Sequence, residues 1–171
     1  MNEANIQDIP KLHTKIVRKS EEIGFTMPSD LYVGSFLKTL IASKPNGRFL
    51  EIGTGIGLSL SWMIEGMDNN SHLISVDNDK ELTDIAETYF GNDDRIQLIC
   101  KDGTQWINEY AGEKFDLIFA DAWPGKYSEI LFSNPTLFSE YTDIVNHLFS
   151  ISHFPFLLYK RILWDLLINF Y

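Results

Sequence analysis

Phe49-Leu-Glu-Ile-Gly-Thr-Gly-Ile-Gly-Leu-Ser59 is the stretch that decides the fold. An apolar run of the length and type of a buried strand leads into glycines at 53, 55 and 57 and then into a helical pattern, with Glu51 two residues before the first glycine. Glycine lets the chain turn tightly and approach a ligand without Cβ clashes, and the turn directs amide groups to the N-terminus of the next helix. Such a turn is a cradle for a nucleotide-type cofactor. A dinucleotide fingerprint would read G-x-G-x-x-G. Here the third glycine comes one residue early and Leu58 holds the expected place, which disfavours a pyrophosphate and with it a nicotinamide-dependent oxidoreductase.

Working outward, Leu73 to Val76 forms a short apolar strand that ends in Asp77, with Asn78 beside it. A carboxylate at that strand end can accept hydrogen bonds from both ribose hydroxyls. Read alone, Asp77 is equally a cap for the helix that follows. The segment Cys100-Lys-Asp-Gly-Thr-Gln-Trp106 follows a strand over 95–99, and Asp102 suits the N-cap of a helix over 103–110. Lys114-Phe-Asp-Leu-Ile-Phe-Ala-Asp-Ala-Trp-Pro-Gly-Lys-Tyr127 is a further strand, ending in Asp121 and an aromatic, turn-prone loop. Strands are predicted near 48–52, 72–76, 95–99 and 115–120, with helices near 57–66, 79–89 and 103–110. This alternation specifies an α/β, Rossmann-like parallel sheet with helices on both faces.

These four motifs, in this order over about residues 27 to 127, resemble the class I S-adenosylmethionine-dependent methyltransferases. The Asp121 segment is similar to that of the catechol and caffeoyl-CoA type O-methyltransferases and their small bacterial relatives. The resemblance implies that Glu51, Gly53, Thr54, Gly55, Gly57 and Ser59 hold the aminoacyl end of S-adenosyl-L-methionine. It implies Asp77 and Asn78 at the ribose, and Asp102, Gly103, Thr104 and Gln105 around the adenine. Asp121 and Trp123 would border a small hydroxylated acceptor. In metal-dependent relatives the Asp at position 121 is one ligand of a divalent cation such as magnesium. The catalytic lysine of the catechol enzymes falls at Pro124 here; Lys126 is the nearest lysine and the candidate in its place. One carboxylate alone does not make a magnesium site.

Composition sets the background. The chain has 171 residues, 44% of them hydrophobic and 22% charged, which suits one globular core. A net charge of −10 with no basic stripe argues against a nucleic-acid partner. The single Cys100 has no partner for an internal disulfide and reads as a small buried hydrophobe. The four histidines, at 13, 72, 147 and 153, show no metal-ligand spacing and read as structural or surface residues. Met1 to Lys19 is polar without a continuous apolar run, so no secretory leader is expected and the setting is cytoplasmic. Ile6, Ile9, Leu12 and Ile16 share a helical face, predicting an amphipathic N-terminal helix. Pro28 introduces a second helix over 31–41, and the resemblance makes 27–31 a lid over the cofactor.

Residues 1–127 thus read as a methyltransferase core and 128–171 as an atypical segment. That segment holds 10 of the 23 aromatics and no glycine. The continuation that the resemblance implies is a fifth strand ending in Asp-Asp or Asp-Asn and a final hairpin, and it is not legible. Instead Asn134-Pro135 predicts a helix to about Ser150. Without later strands Phe115 to Ala120 would be an exposed apolar edge, to be covered by the tail or across a homodimer. The abrupt change is read as a frameshifted, altered or replaced end beyond about Ile130. Leu148 to Tyr171 is interrupted by Lys160, Arg161 and Asp165, so no membrane span is expected, and interfacial attachment is the lesser alternative. Two functions follow: an O-methyltransferase, or a catalytically inactive derivative that binds cofactor or a partner.

Overall fold

The computed structural model describes residues 6–26, 30–121, 134–146 and 157–160. Five helices, α1 (Lys11–Ile23), α2 (Leu31–Ala42), α3 (Leu58–Gly66), α4 (Lys80–Phe90) and α5 (Gly103–Glu109), surround one sheet. Its strands are β1 (Arg48–Ile52), β2 (His72–Asp77), β3 (Ile96–Cys100), β4 (Phe115–Ala120), β5 (Phe138–Asn146) and β6 (Leu157–Lys160). They lie in the order β3-β2-β1-β4-β5-β6. The pairs from β3 to β5 are parallel, and β6 runs antiparallel to β5. Every strand and helix predicted between 48 and 120 is present within a residue or so.

Period-two alternation divides the core. Phe49, Leu73, Leu117 and Phe119 pack with Ile16, Val33, Leu37, Leu60, Met63 and Phe90 of α1 to α4. Leu50, Ile52, Val76, Ile118 and Ala120 face the other way, onto Trp106 and Ile107 of α5 and Leu137. Most of these side chains are excluded from solvent, and each apolar one contributes about 1.5–3 kcal/mol relative to exposure. The same alternation puts Glu51 on the face of Phe49, beneath α3.

Helix ends follow local chemistry. Asp30, Asp79 and Asp102 each accept a hydrogen bond from a first-turn amide. Asp79 therefore caps α4, which leaves Asp77 without that task. The N-terminal helix begins later than its apolar stripe suggests: Pro10 holds the N-cap position, and Ile6 and Ile9 precede the helix. Proline suits a helix entrance because its missing N–H needs no partner there. The buried face is His13, Ile16 and Ser20, with the His13 ring 5.4 Å from that of Trp62. Gly24, at φ 68°, ends the helix, and the Phe25 N–H returns to the Ser20 carbonyl at 2.9 Å.

Two expectations are corrected here. Cys100 is exposed, because it ends the edge strand β3. The helix expected from Asn134 is one 3-10 turn, Pro135–Leu137, followed directly by β5. Asn134 does accept from the Thr136 N–H, as its Asn-Pro signature predicts. Beyond that turn the β-favouring Tyr141, Thr142, Ile144 and Val145 meet an unpaired strand edge, and tertiary pairing overrides the helical start. The apolar edge expected at β4 is therefore covered by β5, so it supplies no argument for a homodimer. Among the described residues no helix is long and apolar enough to cross a membrane.

Candidate cofactor site

In an open α/β sheet, ligands bind beyond the carboxyl ends of the strands where the strand order reverses. Here that point lies between β1 and β4, and Glu51, Asp77 and Asp121 stand at or near the ends of β1, β2 and β4. The turn from β1 to α3 carries Gly53, Gly55 and Gly57 at φ 104°, 51° and 91°, values that side-chain-bearing residues rarely adopt. Gly57 has a second reason: a Cβ there would lie 2.4 Å from the Phe90 ring, so this glycine serves packing against α4. Gly55 faces Phe25, whose ring would be 3.3 Å from a Cβ. Phe25 thus rests against the turn from the region of the expected lid, whose residues 27–29 lie outside the described ones.

The turn is tied to the strands. The Gly53 N–H donates to the Val76 carbonyl at 2.8 Å, and the Gly55 N–H donates to Asp77 Oδ2 at 2.7 Å. Asp77 Oδ1 accepts from the Asp79 N–H at 2.9 Å, while the residue stays half-buried and Asn78 is exposed. The Asp121 N–H donates to the Ile52 carbonyl at 2.8 Å, which joins the acidic end of β4 to β1.

Beneath the turn lies a buried polar chain. Ser59 Oγ donates to Glu51 Oε1 and Ser75 Oγ donates to Glu51 Oε2, each at 2.5 Å. Thr54 Oγ1 is 2.6 Å from Ser75 Oγ. When Glu51 is ionised the single Ser75 proton goes to the carboxylate, so Thr54 is then the donor to Ser75. Glu51 and Ser75 have no exposed surface. Burial pushes the Glu51 carboxyl up to about 8; the hydrogen bonds from Ser59 and Ser75 oppose this, and the charges of Asp121 and Asp77 add to it. The Thr54 side chain is buried and turned toward Ser75.

At the neighbouring strand end, Asp102 accepts from the Gln105 N–H at 3.0 Å as the cap of α5. Gly103 is buried and Thr104 half-buried. The Gln105 side chain is exposed and donates to Glu109 Oε1 at 2.8 Å, which directs it along its own helix. Trp123 and Lys126 lie outside the described residues. Among the described residues no group of three His, Cys, Asp or Glu side chains could hold a metal ion. Sequence reasoning missed Ser75. The available signal was its place two residues before Asp77, on the same strand face as Leu73 and next to Glu51 in the β1–β2 register.

The arrangement suits a cationic ligand with a sugar. The charges of Asp77 and Asp121 act on the buried Glu51 carboxyl between them, and a pyrophosphate would meet their repulsion. A family model described as O-methyltransferase matches residues 7–135. The chain belongs to the O-methyltransferase family. Among its relatives, a Mycobacterium leprae protein assigned by name to the O-methyltransferases is 32% identical over 110 residues, 62% of this chain and 49% of that one. A Mycolicibacterium smegmatis protein, named likewise, is 31% identical over 96 residues, 54% of this chain and 46% of that one. The chain spans about half the length of these curated relatives.

Solved structures share the fold. The O-methyltransferase from Bacillus cereus, in complex with SAH, superposes with a TM-score of 0.68 at 22% identity, covering 82% of this chain and 68% of that one. An SAH-bound methyltransferase from Podospora anserina gives 0.67 at 26% identity, covering 82% and 62%.

Proposed function

We propose that this chain is an S-adenosyl-L-methionine-dependent O-methyltransferase acting on a small hydroxylated acceptor. The observation that carries the reading is the glycine turn fastened to Asp77 and set among Glu51, Asp77 and Asp121, in a chain of this family. The bound cofactor would supply an electrophilic methyl group on a sulfonium. The turn from Gly53 to Gly57 would seat the aminoacyl end, with the buried Glu51 carboxyl beneath the turn acting on its ammonium through the field rather than by contact. Asp77 would accept from the ribose hydroxyls, exchanging its bond to the Gly55 amide for one to the sugar. Gly103 and Thr104, at the start of α5, would flank the adenine. Asp121 would stand between cofactor and acceptor, and Trp123 and Lys126 are carried as acceptor-side candidates. Positioning and the field of fixed charges are the protein's main contributions to such a transfer.

The described residues do not gather the donor set a divalent cation needs, so no step is assigned to a metal at Asp121. A second reading is favoured by the sequence of β5, Phe138-Ser-Glu-Tyr-Thr-Asp-Ile-Val-Asn146, which lacks the Asp-Asp or Asp-Asn pair that the resemblance implies for metal-dependent members. On that reading the chain binds cofactor without turnover. Calorimetric titration with S-adenosylhomocysteine, with NADH as the control, tests the shared premise: saturation by the former alone is expected, and no binding by well-folded protein would sink it. Methyl transfer to catechol-type acceptors with and without magnesium then separates the two readings. Turnover in either condition rejects the inert module.

A further inference from the structure

The buried hydroxyl chain has no role in either reading so far. Ser75 touches two parts of the cradle at once: its Oγ is 2.5 Å from Glu51 Oε2 and 2.6 Å from Thr54 Oγ1. Thr54 is the residue between the first two glycines, so Ser75 is the point where strand β2, the acid of β1 and the glycine turn are joined. None of the three has more than 2% of its surface exposed, and no solvent replaces a lost partner. Ser59, from α3, holds the other carboxylate oxygen at 2.5 Å. The carboxylate is thereby clamped between two elements, and the turn is fastened to the same clamp.

We propose that Ser75 is a positioning residue for the aminoacyl end of the cofactor, fixing the Glu51 carboxylate in one orientation and locking the glycine turn to it through Thr54. This rests on the reading that the cradle holds S-adenosylmethionine. Ser75 does not touch the cofactor; it acts through Glu51 and Thr54. Its effect is therefore confined to ligands that carry an ammonium and carboxylate for the cradle to hold. Ribose and adenine recognition, through Asp77 and the start of α5, should not depend on it.

The test compares two ligands on the full-length protein by calorimetry: S-adenosylhomocysteine, and methylthioadenosine, which keeps the nucleoside and thioether but lacks the amino-acid group. Ser75→Ala should weaken S-adenosylhomocysteine about tenfold, the scale of one buried hydrogen bond lost, and leave methylthioadenosine within about twofold. Ser75→Thr, which keeps the hydroxyl, should recover most of the loss. Retained methylthioadenosine binding also reports that the variant is folded. Should Ser75→Ala fail to fold, Thr54→Val breaks the other end of the link and should give a selective loss of about threefold. Equal weakening of both ligands would reduce Ser75 to a structural residue, and unchanged S-adenosylhomocysteine affinity would remove the role altogether. Failure of the unsubstituted protein to bind S-adenosylhomocysteine is a different result, and overturns the cofactor reading itself.

Discussion

The sheet has two kinds of strand. From β1 to β4, the strands pack apolar side chains against helices whose own buried faces match them, with Glu51 and Ser75 the buried polar exceptions and β3 partly exposed at the sheet edge. β5 is held differently. It arrives through a clasp: Asn134 Nδ2 donates to the Ile107 and Tyr110 carbonyls at 2.6 and 3.0 Å, at the unpaired end of α5, and Thr136 Oγ1 donates to the Tyr110 carbonyl at 3.3 Å. Thr142 Oγ1 then donates to the Phe115 carbonyl at 2.5 Å. The β4–β5 register also shifts, from Phe115 opposite Phe138 to Leu117 opposite Asp143. The first region is built by apolar periodicity and carries the site. Among the described residues, the second is fastened by polar side-chain contacts to backbone carbonyls of the first and by Leu137, which is buried in its core.

The sharpest way to break this contrast is to delete apolar volume from the first region. Phe49, fully buried on β1, should cost about 3–5 kcal/mol as Phe49→Ala in urea denaturation. A loss below about 1 kcal/mol would mean that the β1 core is not what holds the sheet.

Glu51 gives the next effect, and its sign is opposite. Its folded value of about 8 lies above the ordinary 4.5, so between these the folded chain holds a proton that the unfolded chain has lost. Stability from this group therefore falls as pH rises from about 4.5 to about 8. Glu51→Gln should remove that slope and stabilise the protein at pH ~8 by an amount on the order of a few kcal/mol, while weakening S-adenosylhomocysteine. Denaturation of both proteins across the pH range checks it; parallel curves would show that Glu51 is ionised throughout.

In the second region, Asn134→Ala should cost about 1–2 kcal/mol, from two lost carbonyl partners and a lost cap. Amide exchange should quicken over 138–146 while 49–52 stay protected. Uniform loosening would show that the two regions unfold as one unit.

The smallest effect concerns α1. Burial against Trp62 lowers the His13 value below 6.5, so its contribution is present above about 6.5 and is lost as pH falls below that. His13→Phe should flatten the acid limb of the stability profile, measured by thermal melting, and leave the limb above pH ~7 unchanged.

How much was legible follows the same division. Glycine spacing and apolar runs placed β1 to β4, the intervening helices and the acids Glu51, Asp77, Asp102 and Asp121, because backbone strain and burial leave few residue choices at such positions. The destinations of side chains were less legible. Thr54 and Gln105 were read as facing a ligand, yet one turns to Ser75 and the other to Glu109. Cys100 was read as buried because it is a lone cysteine ending a strand, and that strand is the edge of the sheet. The helix expected after Asn134 failed because its cap signature is local, whereas the pairing that displaced it lies across the sheet on β4.

By itself the sequence determined the order of strands and helices, the glycine turn and the acids at the strand ends, since period, φ and charge are properties of short segments. Only the tertiary structure decided that Ser75 meets Glu51 and Thr54, that Asp79 rather than Asp77 caps α4, and that residues 138–146 extend the sheet beside β4. Those outcomes depend on which unpaired donors, acceptors and strand edges come together in space, and residues far apart in the chain supply them.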